Sequence, residues 1–470
     1  MQPVTNWMSN LKLRLSYGTS GNKNIGNAMF ETTYKAYSDK KYYGAGNQQN
    51  PHYTLNNSQL ANPDLKWETT ITRNIGLDFG FLNERISGSL DFYWNTVKDL
   101  LLERDIASIG YNKMQQNIGQ TSNKGIELTL NAAILQHKDY SLNFNFNIGY
   151  NKNKVDKLAG TNSMQFKSGG FSDSDMARGA DDYRVIVGEP LGLVWGYVYD
   201  GIYGVDDFET YIDNDGNTQF RFDSNGNFVL KEGIVDNTYT TSGSRAGLRP
   251  GAIKFKDLDK SGTIDNKDRQ IIAHTQPKVS GGFGLNGNYK WIDVSANFNY
   301  VLGNDVFNMD KMAASQSYRN QWAAVRQEMS PVTLGGKAWT YLNQQTGEIV
   351  TDYATLKAMN EGATMWSPAT MADNYLMPAS CFIENGSFLR LQNVTVGFTF
   401  PKEWTKKFAC NQLRLYCTLN NVFCINNYSG YDPEVNSAMR SSKTSGVTPG
   451  ADFSAYPKSF SWTVGANITF

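Results

Sequence analysis

Apolar and polar residues alternate over long stretches of this chain. In the segment Tyr140–Asn151, Tyr140, Leu142, Phe144, Phe146, Ile148 and Tyr150 are separated by Ser141, Asn143, Asn145, Asn147, Gly149 and Asn151. A period of two sends successive side chains to opposite faces, so the segment reads as a strand with one apolar and one polar face. The C-terminus repeats the pattern, with Phe460, Trp462, Val464, Ala466, Ile468 and Phe470 on one face and Ser461, Thr463, Gly465, Asn467 and Thr469 on the other. The same alternation predicts strands at Leu11–Gly18, Ile71–Phe81, Arg85–Asn95, Gly125–Leu135, Val279–Tyr289, Ile292–Leu302, Phe388–Phe400 and Gln412–Asn420, which makes ten in all.

The links between these strands are sorted by length. Leu82–Glu84, Gln136–Asp139, Lys290–Trp291 and Pro401–Asn411 are short, whereas Thr19–Thr70, Thr96–Lys124, Lys152–Lys278, Gly303–Ser387 and Asn421–Ser459 are long. Short and long links alternate without a break. Outer-membrane barrels have this arrangement, with short periplasmic turns and long extracellular loops, whereas a β-sandwich has no reason to sort its links by parity. The fold expected is therefore all-β: an antiparallel transmembrane β-barrel with long extracellular loops, of which the chain supplies about ten to twelve strands. Lys152–Lys278 has room for one more strand pair, near Leu193–Tyr203.

Composition agrees with this reading. The chain has 470 residues, with 44 Lys plus Arg against 44 Asp plus Glu. Balanced charge removes the long-range attraction that nucleic-acid binding needs, so no nucleic-acid partner is expected. Mean hydropathy is −0.48, and no run reaches the ~18 apolar residues of a transmembrane helix. Neither fact bears on a barrel, whose strands average out as polar. The 26 Tyr, 25 Phe, 10 Trp and 43 Gly suit aromatic girdles and glycine-bearing strands. No signal peptide is visible at the N-terminus. Cys410, Cys417 and Cys424 recur every seven residues without a CxxC pattern, and Cys417 shares the apolar phase of Leu413, Leu415 and Leu419, so it reads as a small hydrophobe.

Several segments together resemble the SusC/RagA family of TonB-dependent outer-membrane receptors of Bacteroidetes. They are Leu11–Asn24 (LKLRLSYGTSGNKN), Asn62–Glu68 (NPDLKWE), Asn74–Phe79 (NIGLDF), Asn117–Asn131 (NIGQTSNKGIELTLN), Val187–Tyr203 (VGEPLGLVWGYVYDGIY), Pro250–Asp268 (PGAIKFKDLDKSGTIDNKD) and Ser387–Pro401 (SFLRLQNVTVGFTFP), with a closing aromatic Phe470. They run in family order along nearly the whole chain. The resemblance implies an outer-membrane location and TonB-dependent import of oligosaccharides or peptides. It also implies a SusD-like surface lipoprotein as lid and the TonB complex as a partner acting through a plug. Family members carry a signal peptide, a TonB box, a plug and a barrel of about 22 strands. Residues 1–470 match only the C-terminal part of that barrel, with large loops at 19–70, 152–278, 303–387 and 421–459 and neither plug nor signal peptide. A partial barrel leaves open strand edges that lipid cannot satisfy, so the chain alone is expected to be inactive or dependent on its other half.

One local motif carries chemistry. In Asp257-Leu-Asp259-Lys-Ser261-Gly262-Thr263-Ile-Asp265-Asn-Lys-Asp268, oxygen-bearing residues occupy positions 1, 3, 5, 9 and 12 of a twelve-residue loop, with Gly at position 6 and Ile at position 8. Calcium takes six to eight oxygens, and the glycine allows the sharp turn around it. Asp257, Asp259, Ser261, Thr263, Asp265 and Asp268 are thus candidate ligands of a structural calcium ion, although Asp268 has a shorter arm than the usual Glu. The competing reading is an Asx-rich turn. Asp213–Asn217, a second acidic stretch, reads as a plain turn. Trp195, Tyr197, Tyr199 and Tyr203 alternate and could stack on sugars, but fit a strand or interfacial girdle better. His52, His137 and His274 lack any nucleophile or zinc spacing, and neither a nucleophile elbow nor a P-loop is present, so no enzyme and no required cofactor are expected. The rival functions are a structural or adhesive surface barrel and a secreted calcium-dependent β-sandwich binding module.

Overall fold

A computed structural model describes residues 7–22, 29–36, 43–45, 48–50, 53–55, 59–106, 111, 113–158, 161–168, 181–238, 247–314, 337–367, 377–408, 410–435, 446–453 and 455–470. The chain divides into two compact units, Met1–Met164 with Ile186–Pro190, and Gln165–Val185 with Leu191–Phe470. No helix among the described residues is long and apolar enough to cross a membrane.

The first unit is built on an antiparallel ladder of five strands in chain order: β1 (Met8–Asn22), β2 (Glu68–Phe81), β3 (Ile86–Asp105), β4 (Lys113–Gln136) and β5 (Tyr140–Leu158). Its register turns the sequence alternation into rows. Leu13, Leu77, Leu90, Leu128 and Ile148 lie side by side across all five strands, and Leu15, Ile75, Phe92, Ile126 and Tyr150 form the next apolar row. Between them runs the row Arg14, Gly76, Asp91, Glu127 and Gly149. One face is therefore apolar across the whole ladder and the other polar, because a register fixed at one residue fixes the facing of every other.

The second unit carries a ladder of the same kind: β6 (Val279–Tyr289), β7 (Ile292–Leu302), β8 (Phe388–Thr399), β9 (Gln412–Asn426) and β10 (Ser461–Thr469). Leu285, Ala296, Val394, Leu419 and Trp462 make an apolar row, and Asn286, Ser295, Thr395, Thr418 and Thr463 a polar one. Cys417 sits between Val396 and Val464 on the apolar face, as its phase predicted. Sequential up-and-down pairing of this kind is the wall of a β-barrel and not a two-sheet sandwich, so the sandwich alternative falls.

All ten expected strands are present, most of them longer at the end that meets the long loops. The linker Thr96–Lys124 is the main revision. Thr96 pairs with Ser122 and Asp105 with Lys113, so most of it is strand. Register shifts at Val97/Leu100 and Leu100/Leu101, with Asp99 at φ 56°, break the period of two that would have marked it. At the opposite end the turns are tight. Leu82, Asn83 and Glu84 all take positive φ between β2 and β3, and Lys290 (φ 49°) does so in the two-residue turn between β6 and β7.

The second expected revision concerns Leu193–Tyr203, which is strand but does not belong to either ladder. Leu193–Tyr197 pairs with Tyr183–Ile186 and Arg269–His274, while Tyr199–Ile202 pairs with Ile253–Phe255. Ile186 aside, these short strands belong to a folded lobe within the second unit. One core of the lobe gathers Tyr183, Val194, Tyr197, Phe307, Met309 and Phe382, and the other Tyr203, Phe208, Phe220, Leu248, Trp339 and Leu356. Tyr197 and Tyr203 are thus core residues, neither girdle nor sugar platform. Alternation placed them in a strand, but only the long-range partners decide what covers a strand.

Candidate functional site

The polar face of each ladder carries an ion pair that bridges three strands. Arg14 on β1 donates from Nε to both carboxylate oxygens of Asp78 at 2.9 Å, and from Nη2 to Asp91 on β3, also at 2.9 Å. It reaches Asp91 by passing over Gly76 on β2. A Cβ there would lie 2.5 Å from the Asp91 carboxylate and 2.6 Å from the guanidinium carbon. The second ladder repeats the device. Arg414 on β9 passes over Gly397 to Asp293 on β7, with Nε to Oδ1 at 2.9 Å and Nη2 to Oδ2 at 2.5 Å. Asn297 Nδ2 donates to Asn393 Oδ1 at 2.9 Å, and Tyr93 Oη to Asn151 Oδ1 at 3.1 Å across Gly125. These groups remain partly exposed, as expected of a water-lined wall.

At the long-loop end of the second unit, polar braces hold the segments that leave and enter the strands. Arg390 donates to Asp432 at 2.6 Å with both side chains nearly fully buried. Lys311 Nζ, Ser429 N and Ser429 Oγ converge on Glu384 at 3.0, 2.7 and 2.8 Å. Burial opposes ionisation of Glu384, but the Ser429 and Lys311 hydrogen bonds outweigh it and hold the carboxyl below its ordinary value. Tyr428 Oη donates to Asp452 Oδ2 at 2.5 Å, and burial raises the Asp452 carboxyl. Deeper in the lobe, burial pushes Asp182 up to about 7 and the Cys381 thiol up to about 12. Ser168 hydrogen-bonds both oxygens of Asp182, and the neighbouring Asp181 pairs with Arg269 at 3.0 Å.

Two of the pockets in this unit are lined by described residues. One, of about 380 Å³, lies among the braces and is walled by Gln276, Val301, Asn304, Phe388, Pro433 and Pro449 among others. The other, of about 540 Å³, lies on the lobe beside Asp206, Tyr353 and Lys357, where Lys357 pairs with Asp206 at 2.8 Å.

In the twelve-residue acidic loop, one oxygen each from Asp257, Asp259 and Asp268 lies within 4.8 Å of the others. Backbone N–H groups orient them. Ser261 N donates to Asp257 at 3.2 Å and Asp259 at 3.1 Å, and Gly262 N donates to Asp257 at 2.7 Å. Asp268 is fully buried and accepts from Leu258 N and Asp265 N at 2.8 and 2.7 Å. Gly262, at φ 83°, makes the bend the motif asked of it. Ser261 and Thr263 face one another, with Ser261 Oγ donating to the Thr263 carbonyl at 2.8 Å. Asp265 does not join the three acids: its side chain caps the turn at Lys267 N, 2.6 Å away. Three carboxylates at this spacing offer a hard cation three oxygens, of the about six to eight that calcium takes.

Asp213–Asn217 is a turn in which Asp213 accepts from Asp215 N, Asn217 N and Gln219 Nε2. A second turn with the same bonding follows ten residues on, at Asp223–Asn227, a repeat the sequence reading passed over. His137 lies in the turn between β4 and β5, stacked on Tyr140, while His52 falls outside the described residues. The buried brace Arg390–Asp432 and the half-buried brace Lys311–Glu384 were also missed. Their partners are 42 and 73 residues apart, and no local spacing announces them.

Comparison with known proteins gives a consistent answer. Residues 4–266 match the family model described as TonB dependent receptor-like, beta-barrel. TonB-dependent receptor P3 of Formosa agariphila is 28% identical over 470 residues, covering 99% of this chain and 40% of the relative. TonB-dependent receptor SusC of Bacteroides thetaiotaomicron is 28% identical over 475 residues, covering 99% of this chain and 38% of that one. Among solved structures, the RagAB peptide transporter superposes with a TM-score of 0.65 at 23% identity, covering 99% of this chain and 41% of its own. The chain thus spans about two fifths of the length of the relatives it matches.

Proposed function

The chain belongs to the TonB dependent receptor-like β-barrel family, is of the SusC/RagA type and is an outer-membrane protein; from that premise we propose that it supplies wall, lumen lining and mouth to a nutrient importer. The cargo is oligosaccharide or peptide, driven by the TonB complex and covered by a SusD-like lipoprotein lid. The observation that carries this reading is the facing of the two ladders. Each has a continuous apolar face suited to lipid and a polar face suited to a water-filled lumen. The lid reading is supported by the braced segments at the long-loop end, which would give a partner a firm surface. In the intact receptor the energy of import would enter through a plug, and this chain's part is to be the channel around it.

The experiment is uptake in the native host with the receptor gene intact, deleted, or intact with TonB inactivated. Import predicts that growth on the cargo is lost in both altered strains. The adhesive-barrel alternative predicts unchanged growth and loss of surface attachment instead.

We also propose that the Asp257–Asp268 loop binds calcium as a structural staple. Support comes from the three converging carboxylates and the N–H groups that pre-orient them. Millimolar calcium should raise the melting temperature of the chain, and the Asp257→Asn, Asp259→Asn pair should abolish the rise. Equal rises in both forms would reject the site.

A further inference from the structure

The apolar face of the first ladder changes character toward its long-loop end. Above the row Leu15, Ile75, Phe92, Ile126 and Tyr150, the next positions of that face pair Tyr17 with Arg73, and Trp94 with Lys124, which in turn meets Lys152. One step further up β5, Lys154 follows the same phase opposite Ser122. On β2 the face runs Phe79, Leu77, Ile75 and then Arg73; on β5 it runs Phe146, Ile148, Tyr150 and then Lys152. The second ladder does not do this. Its apolar phase reaches its own long-loop end as Phe298, Leu391 and Phe423, then Tyr300, Leu389 and Ile425, with no charge among them.

Most of these cations are unpaired. Lys124, Lys152 and Lys154 are exposed, and their ammonium groups hold no partner among the described residues. Arg73 donates from Nη1 to the Trp94 carbonyl and to Thr96 Oγ1, both at 3.4 Å, which lays the guanidinium along the outer face. Asp156, next on β5, offsets one positive charge and is itself held by Ser122 Oγ and Gln120 Nε2 at 3.0 and 3.3 Å. The face keeps an excess of positive charge.

Resting on the reading that this face meets lipid, we propose that the basic row binds the phosphate headgroups of anionic lipid in the leaflet at the long-loop end. From Ile86 at the short turn to Trp94, β3 climbs roughly 26 Å along its own axis, comparable to the ~25 Å apolar band of an outer-membrane wall. The row therefore stands near the edge of the band, where lysine stems snorkel and carry their ammonium groups into the headgroups. Tyr17, 71% exposed, and Trp94, 38% exposed, are side chains of the kind enriched at that boundary. Lysine supplies a point charge and arginine a fork of donors, and phosphate accepts both. Because the row continues the rows that lipid must cover, its neighbour is a headgroup rather than a soluble acidic partner.

The test is lipid-selective quenching in the full chain, reconstituted in bilayers of phosphatidylcholine with a minor share of phosphatidylglycerol and with the native cysteines replaced. A fluorophore is carried by Thr96→Cys, which pairs with Ser122 beside the row, or by Tyr300→Cys on the second ladder. Quenching by brominated phosphatidylglycerol is compared with quenching by brominated phosphatidylcholine. The anionic lipid should be enriched roughly fivefold or more at position 96, the effect of one or more cations at the membrane surface, and not at position 300. Combining Lys124→Gln, Lys152→Gln and Lys154→Gln should abolish the enrichment, whereas Lys124→Arg, Lys152→Arg and Lys154→Arg together should keep it. Equal quenching by the two lipids at position 96, or enrichment that survives the glutamine changes, would overturn the proposal while leaving a lipid-facing wall. Quenching by neither lipid would overturn the facing of the wall as well. Inorganic phosphate that displaces the anionic lipid better than sodium chloride at equal ionic strength would assign the row to free phosphate and overturn the lipid assignment.

Discussion

The ladders and the folded lobe of the second unit solve opposite problems with the same residue types. In the ladders, large apolar side chains are bare: Leu15 is 71% exposed and Val464 64%. In the lobe, Tyr203 and Phe208 are 0% exposed. A water-soluble protein does not leave continuous apolar rows uncovered on this scale. The lobe behaves as a globular protein in water, whereas the ladder rows are complete only when lipid covers them. The same contrast holds for polar groups. The ladder ion pair Arg14–Asp78 remains partly exposed, while the mouth pair Arg390–Asp432 and the lobe pair Arg269–Asp181 are almost wholly buried.

Substitutions can break this contrast or sharpen it. The largest effect is expected from Phe208→Ala in the lobe, at about 3–5 kcal/mol, because a closed core cannot refill the space. Thermal unfolding of the lobe, followed by tryptophan fluorescence, measures it. Next comes Ile148→Arg on the apolar row of β5, expected to cost about 2–4 kcal/mol in bilayer-reconstituted chain. Denaturant unfolding from vesicles reads this one, and a negligible cost would mean that the row does not face lipid.

A pH effect between about pH 4 and 7 should arise at Asp182 in the lobe. Burial lifts Asp182 from its ordinary 3.8 to about 7, with Ser168 bonds opposing and the Asp181 charge adding to the rise. The folded lobe then holds a proton that the unfolded chain lacks between those values. Its contribution to stability is complete below about pH 4 and is lost as pH rises toward 7. Asp182→Asn should flatten melting temperature across that window, and an unaltered slope would exclude Asp182 as its source.

Smaller still, Gly76→Ala should cost about 1 kcal/mol or less. The added carbon displaces only the mobile ends of Arg14 and Asp91, and a partly exposed ion pair contributes little. Asn147→Arg, one residue from Ile148 but on the polar face, should stay within about 0.5 kcal/mol. The pair Ile148→Arg and Asn147→Arg places one charge on the two faces of one strand.

The ladders were legible in the sequence because their signal is local. Tyr140–Asn151 carries its facing in its own alternation, and Val279–Tyr289 and Ile292–Leu302 were bounded by a turn too short to misread. Resemblance to the receptor family, carried by NPDLKWE and SFLRLQNVT, supplied the membrane context that periodicity alone leaves to inference. The lobe was not legible, since its elements are two to seven residues long and its contacts are remote. Tyr183, for example, reaches a carbonyl 266 residues away. The acidic loop lies between these cases: spacing brought Asp257, Asp259 and Asp268 together, but Asp265 was claimed by a helical cap three residues from Asp268. Local competition of that kind leaves no mark in ligand spacing.

The facing of β5 tests the account most directly. Single cysteines placed in turn at positions 144 to 148, in full chain reconstituted in bilayers with the native cysteines replaced, would each carry a fluorophore. Quenching by a lipid-dissolved and by an aqueous quencher is then compared. The account predicts alternation, with positions 144, 146 and 148 quenched from lipid and 145 and 147 from water. Uniform aqueous quenching along the strand, or the reverse alternation, would contradict it.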